Sequence, residues 1–381
     1  MPSVHIVGGG VAGFTLAREL VSKGYAGNIK ISDPEGLPYD RPPLSKSLQR
    51  EYFVPPAWFE QHGVSLIQEQ VTELIAPTAE DEWVVLATGT TPKKLQVPGT
   101  EHIRSLHTAT DAADLSAALE DGMFGQRVLV IGAGLVGAEF AATAKMLGAQ
   151  VTLVSNSEAP LSNVLGVEMA AVLHAEHSRH GITVLSGELA EAGAGYAVVG
   201  GQRIEAEILV AAIGVEPETT LAQAMGLEIN DGILVDDQQR TTTYRQVLAI
   251  GDGARMTQRS RAVHWEAAME DAAIAAATIM GGDARPHSVP WFWSDRHDSH
   301  IEAVGDFTRA TQHVSRLNRR GQLQVLFGLN EAGNLVAASM IDGGQMSKAV
   351  KRLIARGYTP SIEELQDSSV GPRDLGRQEK A

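Results

Sequence analysis

Apolar residues in this chain cluster into short runs, and two distant stretches open in the same way. A largely apolar strand through His5-Ile-Val enters Gly8-x-Gly10-x-x-Gly13, and a helical pattern covers 14–21. Strands are predicted at 28–32 and 63–69. Residues 71–75 and 83–87 alternate or run apolar, so both read as strands, with the polar stretch 76–82 as the turn. A helical pattern occupies 111–119. Arg127-Val-Leu-Val-Ile then enters Gly132-x-Gly134-x-x-Gly137, a second helix follows, and 150–154 is the next strand. Segments 174–181, 183–187, 197–200 and 207–211 complete that region. Runs at 232–236, 240–243 and 247–252 precede a helix predicted over 263–280. Beyond 283 the pattern changes: 301–305, 312–317, 322–329 and 335–341 are strand-like, 345–356 is helical, and polar residues 366–381 read as a disordered tail.

A glycine triplet set between strand and helix is a fingerprint of dinucleotide binding. Gly8 permits the tight turn, Gly10 lets backbone approach a pyrophosphate, and Gly13 lets the helix pack on the strand. The diphosphate sits at the positive helix end. Asp33 stands at the spacing of a ribose-binding acid. The second copy, about 120 residues on, implies two dinucleotides in one molecule. It lacks the acid, because Ser155 stands there. A carboxylate at that place would repel a 2′-phosphate, yet no Arg or Lys stands nearby to bind one. NADH and NADPH therefore both remain open as donors.

Composition narrows the chemistry. The 381 residues are 44% hydrophobic and 20% charged, with no apolar run of membrane-spanning length. The reading is a cytoplasmic globular protein, monomer or weak dimer, with no membrane partner. A net charge of −15 disfavours nucleic acid. The count of cysteines is zero, which excludes disulfides, thiolate metal sites and cysteine nucleophiles; no metal site is expected. Residues 283–381 carry 13 Lys and Arg against 12 Asp and Glu, so the acidity lies upstream. Arg309, Arg316, Arg319 and Arg320 lie in one acid-free stretch, and Lys348, Lys351, Arg352 and Arg356 in another. They read either as solvated surface or as a docking face for an acidic partner.

Three further residues bear on mechanism. Lys46 ends the rigid stretch Pro38-Tyr-Asp-Arg-Pro-Pro-Leu-Ser-Lys46; it is either a surface lysine or a group that neutralises developing negative charge. Glu139 lies on the first turn of the second glycine-loop helix, where the macrodipole favours an acid; the functional alternative sets it beside a reacting nicotinamide. Asp252 ends an apolar strand at Gly-Asp, at the carboxyl end of a sheet, where ligands bind.

The glycine loops, the Pro38–Lys46 block, Ala87-Thr88-Gly89, Ile250-Gly-Asp252 and Pro290-Trp-Phe-Trp-Ser-Asp295 together resemble the oxygenase-coupled, FAD-dependent NAD(P)H:ferredoxin reductases, the putidaredoxin reductase and biphenyl dioxygenase reductase type. The similarity spans about residues 3–357. It implies an α/β fold of the glutathione-reductase type, with two Rossmann-like domains and a C-terminal α+β domain. The FAD domain would comprise 1–108 and 229–283, the NAD(P) domain 109–228, and the interface domain 284–365. The resemblance assigns FAD to Gly8, Gly10, Val11, Ala12, Gly13, Asp33, Arg41, Lys46, Val71, Thr88, Gly89, His107, Asp252 and Trp265. It assigns the nicotinamide nucleotide to Gly132, Gly134, Leu135, Val136, Gly137, Glu139, Ser155 and Gly214. Lys46, Glu139 and Trp293 would serve catalysis, Trp293 as a wall of the flavin ring, although Trp291 and Trp293 read on their own as core residues. An iron–sulfur ferredoxin would dock on Arg309, Arg316, Arg319, Arg320, Lys348, Lys351 and Arg352. The chain departs from the family's pattern at His107, where Arg is usual, at Val263, at Arg296, at Ser155, and in a shortened segment 72–82. Without cysteine, electrons must leave from the flavin itself, to a carrier, a quinone or oxygen. The implied activity is ferredoxin reduction. The alternatives are a quinone or oxygen reductase and a redox sensor resembling apoptosis-inducing factor.

Overall fold

Five parallel strands carry the first glycine loop, in the order Val247–Ala249, Glu82–Leu86, Ser3–Val7, Asn28–Asp33, Val64–Gln68. Strands of a parallel sheet are covered on both faces, which is why their sequences run apolar rather than alternating. Val4, Ile6, Ile31, Val85 and Leu248 are buried accordingly. On one face, the helices Val11–Ser22 and Trp265–Ile279 share a core of Phe14, Leu16, Leu20, Ala272 and Ala275. On the other, Val7, Leu86 and Val247 pack with Leu221, Leu227 and Ile233. The computed structural model describes residues 1–121, 125–157, 159–258, 261–283 and 287–377.

The strand predicted over 71–75 does not form; residues 69–78 are irregular. Val71, Leu74 and Ala76 pack onto the Leu221–Ile233 core while Ile75 is exposed, a spacing that serves no pleated face. The run at 240–243 contributes only isolated bridges.

The second glycine loop belongs to a four-stranded parallel sheet ordered Thr183–Ser186, Gln150–Ser155, Arg127–Ile131, Ile208–Ala211. Beside it lies a three-stranded antiparallel sheet, Leu189–Gly193, Tyr196–Val199 and Gln202–Glu205, of which the pattern signalled only the middle strand. The helix before these strands spans Val167–Arg179. The C-terminal sheet is antiparallel, ordered Trp291–Arg296, Ser299–Gly305, Leu335–Ile341, Leu323–Leu329, Gln312–Leu317. Its edge strand is the aromatic block, and the amphipathic helix Met346–Arg356 covers one face through Met346, Val350 and Leu353.

The chain forms two compact units. One holds Met1–Pro43, Arg50–Lys93 and Val215–His287; the other holds Leu44–Gln49, Lys94–Gly214 and Ser288–Ala381. The cuts fall at 93/94 and 214/215 rather than at 108 and 228. Hydrogen bonds explain both positions. Arg104 N–H donates to Leu209 O at 2.8 Å, tying residues after 94 to the second parallel sheet. Val215–Pro217 pairs with Thr90–Pro92, tying residues after 214 back to the first.

Polar composition predicted disorder from 366, yet residues 367–377, mostly exposed, reach the C-terminal core at two points. Val370 and Leu375 join the C-terminal core. The Arg316 guanidinium donates to the carbonyls of Leu365 at 2.6 Å, Glu364 at 2.8 Å and Val370 at 3.0 Å. Two apolar anchors and one buried cation suffice to order a short polar segment. The rest of that tail, 378–381, lies outside the described residues.

Candidate functional site

The first loop is built by close approach. A Cβ on Gly13 would lie 2.0 Å from Gly8 O, and one on Gly8, at φ +108°, would lie 2.2 Å from Ala87 O. Neither position admits a side chain. A Cβ on Gly10 would meet nothing within 4 Å, so backbone there is open to a ligand. Val11 and Ala12 begin the helix and present its first amides. The Asp33 carboxylate accepts from Gly9 N–H at 2.6 Å and Glu35 N–H at 2.8 Å. It thus fixes the loop from the end of its strand.

A small pocket at this loop is lined by Gly9, Gly10, Asp33, Glu35, Tyr39 and Arg41. Glu35 Oε2 accepts from Tyr39 OH at 2.6 Å, while its buried Oε1 accepts no hydrogen bond. Arg41 and Arg50 stand 3.8 and 3.7 Å from this carboxylate. A buried carboxylate oxygen that faces Arg50 at 3.7 Å but accepts no hydrogen bond, beside open glycine backbone, fits the hydroxyls of an adenosine ribose. The residues present therefore fit FAD. Sequence reasoning passed over Glu35; an acid two positions after the ribose acid was the available signal.

Other residues expected to hold the cofactor gather at the carboxyl end of the same sheet. Thr88 Oγ1 donates to Glu218 O at 2.7 Å, and a Cβ on Gly253 would meet Gly89 O at 2.8 Å. Gly251 N–H donates to Asp271 at 2.9 Å. Burial pushes the Asp252 carboxyl up to about 6, with Arg261 and Arg41 pulling the other way. Trp265 Nε1–H donates to Asp40 at 2.9 Å at the start of its helix, and burial raises the Asp40 carboxyl despite that bond. Val71 lies in the irregular segment of this unit. His107 falls in the second unit instead, where its amide donates to Asp111 at 2.8 Å ahead of helix Ala109–Asp121.

The second loop repeats the first. A Cβ on Gly137 would lie 2.0 Å from Gly132 O, and one on Gly132, at φ +103°, 2.4 Å from Ala212 O. Leu135 and Val136 open its helix after the Gly134 N-cap. Gly214 follows the strand Ile208–Ala211 with φ +99°. Ser155 ends its strand, buried, with no charge to offer.

Glu139 is the centre of a buried network in the second unit. Its Oε1 accepts from Lys46 Nζ, from Ser294 Oγ at 2.7 Å and from Asp295 N–H at 3.2 Å. Its Oε2 accepts from Ser45 Oγ at 2.5 Å. Thr143 Oγ1 donates to Ser45 O at 2.8 Å, pinning the turn that carries the lysine. Asp295 makes a second ion pair to Lys46 at 3.3 Å and takes a bond from His300 at 2.6 Å. Burial alone would raise the Asp295 carboxyl; His300 and Lys46 outweigh it and hold it low. Lys46 is neither loose nor fully exposed; its ammonium is held between two carboxylates. Ser45, Ser294 and Asp295 were not singled out as site residues, because their role rests on contacts across 94 and 155 residues of chain. Trp293 stacks on Trp291 at 5.3 Å, and Trp291 Nε1–H donates to Glu302 at 2.9 Å.

Among the basic candidates, Arg316 is corrected. It is 2% exposed and its guanidinium is spent on the three carbonyls described above, so it offers nothing to a partner. Arg309, Arg319, Arg320, Lys348 and Arg352 are exposed. Arg179, Arg319 and Arg320 line an open groove of about 770 Å³. Among the described residues, no group of three or more His, Asp or Glu could hold a metal ion, and no helix is long and apolar enough to cross a membrane.

Comparison with known proteins accounts for nearly the whole chain. The family model for pyridine nucleotide-disulphide oxidoreductases matches residues 2–272, and that for the reductase C-terminal domain matches 291–375. The ferredoxin–NAD(+) reductase component of the anthranilate 1,2-dioxygenase system of Burkholderia cepacia is 32% identical, over 96% of this chain and 97% of its own. Rhodocoxin reductase of Rhodococcus erythropolis is 34% identical over 82% of this chain and 80% of its own. Among solved structures, the ferredoxin reductase for the CYP199A2 system of Rhodopseudomonas palustris superposes with a TM-score of 0.90 at 28% identity, covering 98% of this chain and 99% of that one. Putidaredoxin reductase, in its covalent complex with putidaredoxin, gives 0.90 at 26% identity, covering 100% and 99%.

Proposed function

Because the chain belongs to the pyridine nucleotide-disulphide oxidoreductase family and closes with a reductase C-terminal domain, we infer that it is a flavoprotein reductase. It passes electrons from NAD(P)H through FAD to a one-electron iron–sulfur carrier, a ferredoxin serving an oxygenase. One observation carries the reading beyond the family: two complete glycine loops stand in a chain without a single cysteine. Members that work on disulfides need a redox thiol pair. This chain has none, so electrons leave from the flavin to an acceptor outside the chain. The relatives named as ferredoxin reductases indicate what that acceptor is.

FAD, when bound, supplies the capacity to take two electrons as hydride and release them singly. The protein supplies position and field. Gly8 to Gly13 and the helix they open bind the pyrophosphate, and Asp33 and Glu35 bind the adenosine ribose. Gly132 to Gly137 hold the nicotinamide nucleotide. We assign Lys46 to electrostatic stabilisation during hydride transfer: its ammonium is fixed by Glu139 and Asp295 before the reaction and needs no reorganisation. Glu139 positions it, and Ser45 and Ser294 hold Glu139. We assign docking of the acidic carrier to Arg309, Arg319, Arg320, Lys348, Lys351 and Arg352.

Stopped-flow reduction of the purified yellow protein by NADH and by NADPH, followed by mixing with a [2Fe–2S] ferredoxin, tests the reading. Bleaching of the flavin and then of the ferredoxin is the expected sequence. Failure of both nucleotides to bleach the flavin overturns it.

A further inference from the structure

The two glycine-loop units correspond residue by residue. Gly8 N–H donates to Ser32 O at 2.9 Å, and Gly132 N–H donates to Val154 O at the same distance. The next residue in each strand is therefore the equivalent one: Asp33 in the first unit, Ser155 in the second. That position faces the adenosine ribose in a unit of this kind.

The two residues do opposite things. Asp33 places a carboxylate against the loop. Ser155 is 3% exposed and closed on itself: its Oγ donates to Ser157 O at 2.7 Å and accepts from Ser157 N–H at 3.0 Å. Its donor is spent and its side chain is buried. The next residues, Asn156 and Ser157, are exposed and uncharged. A carboxylate in this place hydrogen-bonds a free 2′-hydroxyl and repels a 2′-phosphate. Ser155 supplies neither effect, and residues 155–160 hold no cation that would reverse the preference.

We propose that Ser155 leaves the second site nearly blind to the 2′-phosphate, so that the protein takes NADPH as well as NADH. This rests on reading residues 127–155 as the nicotinamide nucleotide site. It departs from the relatives whose names specify NAD(+). Two other carboxylates are close in sequence or in the sheet. Glu158 lies outside the described residues. Glu188 is exposed and follows Gly187, whose N–H donates to Ser155 O at 3.1 Å.

The test uses the FAD-loaded protein with two readouts: flavin bleaching by NADH and NADPH, and calorimetric binding of ADP-ribose and its 2′-phosphate. Wild type is expected to treat each pair within about tenfold, and Ser155→Glu to discriminate against the phosphorylated member by at least a further tenfold or so, through affinity. Ser157→Glu, at an exposed position of the same turn, is expected to act in the same direction and covers the case in which a buried glutamate does not fold. Rejection of the 2′-phosphate by wild type more than about a hundredfold, relieved by E158Q or E188Q, would overturn the proposal, because another carboxylate would then read the ribose. Unaltered ratios in both glutamate variants would overturn it as well. Bleaching by NADH alone refutes this inference and leaves the reductase reading standing. Equal binding of both ADP-ribose forms without bleaching does the reverse.

Discussion

Lys46 sits between two carboxylates before any substrate arrives, and that fixes what its loss should do. With Lys46→Ala, Glu139 keeps Ser45 and Ser294 as donors, so the fold survives and FAD stays bound. Hydride transfer in stopped flow is expected to slow by about 10- to 100-fold, the range for removing one preorganised electrostatic group. An unchanged reductive half-reaction refutes the role. Asp252 and His177 give pH signatures of opposite sign. Burial raises the Asp252 carboxyl from 3.8 to about 6, so its contribution to stability is full below about pH 4 and is lost as pH rises through 6. Asp252→Asn should flatten that slope in urea unfolding, a change of up to about 3 kcal/mol between pH 4 and 7. His177 is fully buried, bonded to His297 at 2.9 Å, and burial, then Arg296, push it from 6.5 down to about 3. Its contribution is full above about pH 6.5 and is lost as pH falls toward 3. In His177→Gln, the loss of thermal stability between pH 7 and 5 should shrink.

At the scale of the element, each glycine loop fails by one methyl group. A Cβ on Gly13 or Gly137 would sit 2.0 Å from a backbone carbonyl oxygen that the helix and strand together hold in place. Gly13→Ala should therefore yield colourless protein. Gly137→Ala should yield yellow protein that NADH bleaches at least about 100-fold more slowly, since helix and strand must part to admit the methyl. Absorbance after gel filtration and stopped flow separate the two outcomes. The C-terminal segment depends on a side chain in the same way. Arg316→Met leaves three carbonyls without their donor and should cost about 3 kcal/mol in unfolding free energy.

For the whole molecule, charge is distributed against the average. The chain carries −15, yet two acid-free stretches in the C-terminal hundred residues present arginines and lysines to solvent. Neutralising Arg319 and Arg320 together should raise the KM for ferredoxin by about 3- to 10-fold at low salt, with the difference vanishing near 0.5 M salt. Stability should not change, which distinguishes these two from Arg316. A salt-independent KM equal to wild type would move the docking face elsewhere.

The sequence by itself determined the dinucleotide folds, because a strand, a glycine triplet and a helix are local features whose period and spacing survive in one dimension. It also determined that no thiol takes part. The antiparallel C-terminal sheet was legible for the same reason, in runs of six or seven alternating or apolar residues. Only the tertiary structure decided what depends on side chains far apart in the chain. Arg316 has the composition of a surface cation and is buried, because Glu364, Leu365 and Val370 bring their carbonyls to it. Val71 to Ile75 has the composition of a strand, but its apolar positions serve a core contact. Glu139, which reads as a helix-end charge, gathers Ser45, Lys46, Ser294 and Asp295 from two other parts of the chain. Ser155, an ordinary serine in sequence, turns its hydroxyl onto its own turn where its counterpart in the first unit presents a carboxylate.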